Sequence, residues 1–129
     1  MQFKYTILYV TDVKATLAFY EKAFGFRMRM LHAEGDYGEL ESGETVLAFS
    51  ALSLMQQLGK NPLPANAAAP SFHIALETDD VAAGLQRALG AGATLNQALR
   101  EEPWGQTTSC VVDNNGFLVE ICSPVKGGG

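Results

Sequence analysis

Two side chains stand where their types could do chemistry. His73 lies in the apolar run Phe72-His73-Ile74-Ala75-Leu76, and Glu120 lies in another, Phe117-Leu118-Val119-Glu120-Ile121-Cys122. An acid inside an otherwise apolar strand is costly unless it is paired or bound to something. A histidine and a carboxylate together can ligate a divalent ion. Without a metal, a His–Glu pair lifts the histidine's proton affinity and supports acid–base work. The plainer readings are a histidine hydrogen-bonded among its neighbours and a carboxylate paired with a hydroxyl or with His73 itself. Residue types alone leave all of these open.

Both residues belong to the second of two similar segments. Sliding the chain by 68 residues lays Tyr5–Phe24 on His73–Gly92 with six of twenty positions identical: Leu8/Leu76, Asp12/Asp80, Val13/Val81, Ala15/Ala83, Leu17/Leu85 and Ala23/Ala91. Chance would give roughly one or two. Such a repeat is one supersecondary unit used twice. Where the second copy has His73, the first has Tyr5.

Each copy reads as β-α-β-β-β. In the first, Phe3–Val10 is a strand, Asp12 caps a helix, and Val13, Leu17, Tyr20 and Phe24 form its apolar stripe up to Gly25. Strands follow over Phe26–Ala33, Tyr37–Glu41 and Glu44–Ser50, and a short helical turn over Ala51–Leu58. Three prolines and a run of small residues make Gly59–Pro70 a linker. In the second copy Pro70–Thr78 is a strand, and Asp79 or Asp80 caps a helix with Val81, Leu85 and Ala88 on one face. Ala93–Leu99 is an edge strand, and Gln106–Val112 and Phe117–Cys122 form a hairpin around Asn114-Asn115-Gly116. Pairing Asp113 with Gly116 sets Cys110 opposite Val119 and Cys122 opposite Thr107, which predicts two free thiols. The resulting organisation is one α+β domain over 1–124, with module one at 3–50, a linker at 51–69, module two at 70–124, and a flexible tail at 125–129.

Side chains alternate faces along a strand. Leu8, Val10, Ile74 and Leu76 suit the face that packs on a helix. Tyr5, Ile7 and Tyr9 then share the other face in module one, as do His73, Ala75 and Glu77 in module two. Gln106, Thr108 and Cys110 alternate on one face, with Ser50 as a further orienting hydroxyl. Trp104, in Glu102-Pro103-Trp104-Gly105-Gln106, is placed either to close over a flat ligand or simply to pack. Phe49 reads as core. Glu39, Glu41 and His32 read as solvent-facing residues of a half-exposed sheet, and Asp12 and Asp80 as caps.

Composition narrows the function classes. Nine Lys and Arg against fourteen Asp and Glu give a formal net charge of -5, with no basic run to neutralise phosphates, so no nucleic-acid partner is expected. No stretch approaches a membrane span, and residues 1–10 carry no secretory pattern. Two cysteines without a CxxC suit a reduced, cytoplasmic setting. No phosphate loop, nucleophile elbow or zinc signature occurs.

The paired β-α-β-β-β modules, the segment Ile7-Leu8-Tyr9-Val10-Thr11-Asp12-Val13 with Phe19-Tyr20 and Phe24-Gly25-Phe26, the segment Phe72-His73-Ile74-Ala75-Leu76, and Asp113-Asn114-Asn115-Gly116 before Val119-Glu120-Ile121 resemble the vicinal oxygen chelate superfamily. That group includes glyoxalase I, bleomycin-resistance proteins, fosfomycin-resistance enzymes and extradiol dioxygenases. The resemblance implies a cup-shaped curved sheet with helices outside, a homodimer, and cavities where modules meet. In metal-using members the first and fourth strands of each module give one ligand each. The matching positions here are Tyr5, Ala48 (or Leu47), His73 and Glu120. Only His73 and Glu120 are ordinary ligands; an alanine or leucine has no donor, and the Tyr5 phenol would have to lose its proton. The expectation is therefore a protein that binds a planar or partly aromatic small molecule through Tyr5, Ile7, Tyr9, Ala48, Ser50, His73, Trp104, Gln106, Thr108 and Glu120, with no resident cofactor. The alternatives are a lyase or dioxygenase using zinc, nickel, manganese or iron on His73 and Glu120, and a metal-free acid–base catalyst using the same pair.

Overall fold

The computed structural model describes residues 1–126. The sequence reading of 127–129 as part of a flexible tail lies outside them. Lys126, assigned to the same tail, donates its backbone N–H to the Gly105 carbonyl at 3.0 Å. The chain divides into two compact units between Ala65 and Asn66.

In the first unit, β1 (Tyr5–Val10), α1 (Val13–Phe24), β2 (Arg27–Leu31), β3 (Tyr37–Glu41) and β4 (Val46–Ala51) precede a short helix, α2 (Leu52–Gln57). The sheet runs β1-β4-β3-β2, with β1 parallel to β4 and the other pairs antiparallel. Asp12 caps α1 by accepting the Ala15 N–H at 3.0 Å, and Gly25 ends it at φ 79°. The left-handed turn at Gly25 is one that a side chain would strain. α1 buries Val13, Thr16, Leu17, Tyr20 and Ala23 against Leu8, Val10, Leu40 and Phe49. The Tyr20 and Phe49 rings lie 4.9 Å apart. Gly38 in β3 lets the helix approach closely: a Cβ there would lie 2.8 Å from Leu17 Cδ1 and 3.2 Å from Val13 Cγ1.

The second unit repeats the plan: β5 (His73–Glu77), α3 (Val81–Gly90), β6 (Thr94–Glu102), β7 (Gln106–Val112) and β8 (Leu118–Cys122), in sheet order β5-β8-β7-β6. Of the two candidate caps it is Asp80 that accepts the Ala83 N–H, at 3.0 Å. Val81, Leu85 and Ala88 are the buried face of α3, as the stripe predicts. The fold is α+β, made of two β-α-β-β-β modules. No helix of the described residues is long and apolar enough to cross a membrane.

Several boundaries differ from the sequence reading. β1 starts at Tyr5 rather than Phe3, β2 spans Arg27–Leu31 rather than Phe26–Ala33, β4 starts at Val46, and β5 starts at His73 rather than Pro70. At two of these ends single backbone bonds run past the strand, from Val46 N–H to Lys4 O at 2.9 Å and from His32 N–H to Tyr37 O at 2.8 Å. β6 is longer than expected, running nine residues to Glu102. Its register against β7 shifts between Leu95 and Gln97 and again before Arg100. Such bulges break the two-residue period, which hid the strand's second half.

The hairpin register is one residue off the expected one. Asp113 donates its N–H to Phe117 O at 2.9 Å, so Cys110 lies opposite Glu120 and Cys122 opposite Thr108. The cause is the Asp113 side chain, whose Oδ1 accepts from the N–H groups of Asn115, Gly116 and Phe117 at 2.8, 2.9 and 2.9 Å. That carboxylate wraps a loop one residue longer than the tight turn. Both cysteines are nevertheless free, as expected. A one-residue slip exchanges faces. The observed register therefore puts the Gln106-Thr108-Cys110 stripe on the same face as Glu120 and Cys122.

Candidate functional site

In the second unit, α3 packs against one face of the sheet, where Val111, Val119 and Ile121 are buried. The opposite, helix-free face carries His73, Ala75 and Glu77 from β5, Leu118, Glu120 and Cys122 from β8, and Thr108 and Cys110 from β7. The parallel register sets Ala75 beside Glu120 and His73 beside Leu118. His73 Nε2 comes within 4.0 Å of Glu120 Oε1, with the two side chains 52% and 29% exposed. The histidine and the glutamate thus share a face and approach each other. Burial pushes both thiols up, and the neighbouring Glu120 charge pushes them further; for Cys122, Glu77 adds to it. Both are therefore held as neutral thiols beside a carboxylate.

The β6–β7 turn carries Trp104, which is 56% exposed. Its Nε1 donates to Gln106 Oε1 at 2.7 Å, and Gln106 Nε2 donates to the Ser123 carbonyl at 2.9 Å. Thr108 Oγ1 donates to Glu102 Oε2 at 3.3 Å, and Glu102 Oε1 accepts from Arg100 Nε at 2.9 Å. The polar groups of Trp104, Gln106 and Thr108 are thus tied within their own unit, while the Trp104 ring stays half exposed.

In the first unit, the helix-free face carries Tyr5, Ile7 and Tyr9 beside Val46, Ala48 and Ser50. Tyr5 is 47% exposed and Ile7 43%, whereas Ala48 and Ser50 are buried. Phe49 lies on the helix side, in the core, as expected. Glu41 and His32 are exposed, as read from the sequence, but Glu39 is not. Glu39 is only 9% exposed and stands opposite Ala48. Its Oε2 accepts the Tyr37 hydroxyl at 2.7 Å, and Arg29 Nε lies 3.4 Å from its Oε1. Burial, then the bond to Glu39 and its charge, push the Tyr37 phenol well above its usual range. The sequence reading missed this cluster because the bulge between Met28 and Met30 hides which β2 side chains reach β3. The signal available was Tyr37 and Glu39 two apart on one strand, hence on one face.

The two registers settle which residues correspond. Tyr5 lies beside Val46 and Ile7 beside Ala48; His73 lies beside Leu118 and Ala75 beside Glu120. Ala48, not Leu47, is therefore the counterpart of Glu120, and Leu47 lies on the helix side beside Thr6. By the same comparison Glu39, opposite Ala48, corresponds to Cys110, opposite Glu120. Glu39 of β3 and Glu120 of β8 thus lie on neighbouring strands of the repeated plan, on the helix-free faces, with Glu41 and Glu77 on the same faces at strand ends.

A model of the glyoxalase/bleomycin resistance protein/dioxygenase superfamily matches residues 2–121. The chain belongs to that superfamily. An uncharacterised protein of Mycobacterium bovis is 32% identical over 125 residues, covering 92% of this chain and 81% of that protein. Among solved structures, a glyoxalase-related enzyme from Fulvimarina pelagi aligns with a TM-score of 0.83 at 22% identity, covering 100% of this chain and 95% of the other. A family enzyme from Burkholderia phytofirmans aligns with a TM-score of 0.82 at 20% identity, covering 95% and 98%. At these identities the likeness of structures concerns the fold.

Superfamily members often use a divalent ion, so the donor set is the relevant test. Of the four corresponding positions, His73 and Glu120 offer ordinary donors, Ala48 offers none, and Tyr5 offers a phenol. Among the described residues no group of three or more His, Cys, Asp or Glu is placed to hold an ion. A catalytic ion generally takes three protein ligands and keeps one open position. The residues present do not fit that requirement.

Proposed function

We propose that this chain is a small-molecule-binding protein of the glyoxalase/bleomycin-resistance type, which holds a planar or partly aromatic ligand on its helix-free sheet faces and needs no resident metal. The observation that carries this reading is the replacement of donors by apolar and aromatic surface at the corresponding positions. Tyr5 stands where module two has His73, and Ala48 stands where it has Glu120. On the module-one face Ile7 and Tyr9 supply flat apolar area and Ser50 a hydroxyl; on the module-two face Trp104 supplies a half-exposed ring, and Gln106 and Thr108 supply hydrogen-bonding groups. Aromatic rings give large contact area at low entropic cost, which suits flat ligands. The protein acts in the cytoplasm as a homodimer, in keeping with the often dimeric superfamily.

The experiment is metal analysis of the purified protein beside a thermal-shift screen. Planar aromatic compounds raise the unfolding midpoint through mass action on the folded state. Nickel, zinc, manganese or iron added to dialysed protein leaves it unchanged. The approach of His73 to Glu120 favours one alternative, a metal-dependent lyase or dioxygenase. A stoichiometric ion, or a metal-induced gain in midpoint abolished by His73→Ala, would establish that alternative instead.

A further inference from the structure

We propose that Glu39, braced by Tyr37 and Arg29, is a ligand-binding carboxylate of the module-one face, and that it selects planar molecules bearing an N–H donor, such as an aromatic amine. This rests on the proposed binding function and names the chemical class that the face would take.

The first argument is position. Glu39 stands on the helix-free face, in one rung with Ala48 and Ile7. Tyr37 lies in the next rung, with Ser50 and Tyr9. These are the side chains proposed to contact the ligand. Directly opposite residues in a sheet have their Cβ atoms about 5 Å apart. Ala48 is 0% exposed, so its methyl group is already covered, and a ligand resting on the face would meet Glu39 from the side of Ile7, which is 43% exposed.

The second argument is cost. Glu39 is 9% exposed, on a strand where Leu40 next to it serves the core. An apolar residue of similar volume in place of a buried ion pair is often as stabilising or more so. A carboxylate that stability alone does not require, aimed at a proposed binding face, has a ready use in recognition.

The third argument is polarity. The Tyr37 hydroxyl gives its hydrogen to Glu39 at 2.7 Å, and its raised proton affinity keeps that hydrogen in place. Arg29 reaches the carboxylate from the outer strand, β2. The oxygens of Glu39 and of the Tyr37 phenol are acceptors. Each carboxylate oxygen has two lone-pair sites, so Tyr37 and Arg29 leave capacity for a ligand N–H. A group that donates is rewarded there, and an isosteric methyl leaves the acceptors unpaired.

The test compares 2-aminoquinoline with 2-methylquinoline, flat molecules of the same shape, by calorimetric titration at a pH where both are uncharged. The wild type should bind the amine at least about tenfold more tightly, the size expected for a hydrogen bond to a charged group. Glu39→Gln, which presents an amide that can donate in its turn, should bring the ratio close to one. Tyr37→Phe should lower it in part, and Glu44→Gln, in an exposed turn, should leave it intact. A wild-type ratio near one overturns the proposal, even if Glu39→Gln does not fold. So does a high ratio that survives in a folded Glu39→Gln. If these and other planar compounds fail to bind the wild type at all, the binding function itself falls, and the inference with it.

Discussion

Opposite Glu120 and Glu39 on the helix-free faces stands a residue without charge: Cys110 for Glu120, Ala48 for Glu39. Like charges directly opposite in a sheet repel, so a neutral neighbour is what permits each acid. The thiols register the field of Glu120. With pKa values raised above the ordinary 9.0, Cys110 and Cys122 keep their protons in the fold at pH values where the unfolded chain has begun to lose them. The unfolded state then binds fewer protons than the native one, and stability falls as pH rises. The contribution is whole below 9.0 and is lost as pH climbs through that value toward the raised folded ones, with Tyr37 acting in the same sense above it. Urea midpoints measured through the alkaline range should decline from about that point, and Cys110→Ala with Cys122→Ala should flatten the first part of the decline. A wild-type midpoint that holds steady there would contradict this account. His73 and Glu120 were legible in the sequence as an out-of-place pair on one face. Glu39 was not, because its partner Arg29 sits at a bulge, which no two-residue alternation reveals.

Among the elements, the helices were the most legible, since Asp12, Gly25 and Asp80 mark ends by chemistry that belongs to single residues. Strand ends were less so, because they depend on whether a partner strand continues. The hairpin shows the limit most sharply. Its turn residues were plain, yet the three N–H groups gathered by Asp113 Oδ1 lengthen the loop and move the register by one. That single step decides whether Cys110 faces Glu120 or the core. The contact of α1 with β3 gives a prediction at this scale. Gly38→Ala would bring a methyl group to 2.8 Å from Leu17 Cδ1 and 3.2 Å from Val13 Cγ1, both on buried residues. The loss of unfolded-chain entropy that favours alanine recovers part of the overpacking cost, leaving a destabilisation of about 1–2 kcal/mol. Thermal or urea unfolding checks it, and an unchanged midpoint would mean that the helix shifts freely.

For the molecule as a whole, the repeat was the feature that carried furthest. An offset seen in six identities corresponds to two sheets with the same strand order and matching parallel registers. The outer strands of both sheets, β2 and β6, are exposed along nearly their whole length. Long open edges invite pairing unless charge or bulges blunt them, and here both strands carry bulges and arginines. Sedimentation at micromolar concentration should give twice the chain mass, the proposed homodimer; a single-chain mass at every concentration would remove it.

The pairing of positions 39 and 48 also limits what a single substitution can do. A glutamate introduced at position 48 would face Glu39 across the ladder, so that donor could not be added alone without setting like charges directly opposite. Glu39 would have to go first, and with it the anchor of Tyr37 and Arg29. Positions 39 and 48 are therefore coupled: an acid is tolerated at one only while the other stays uncharged.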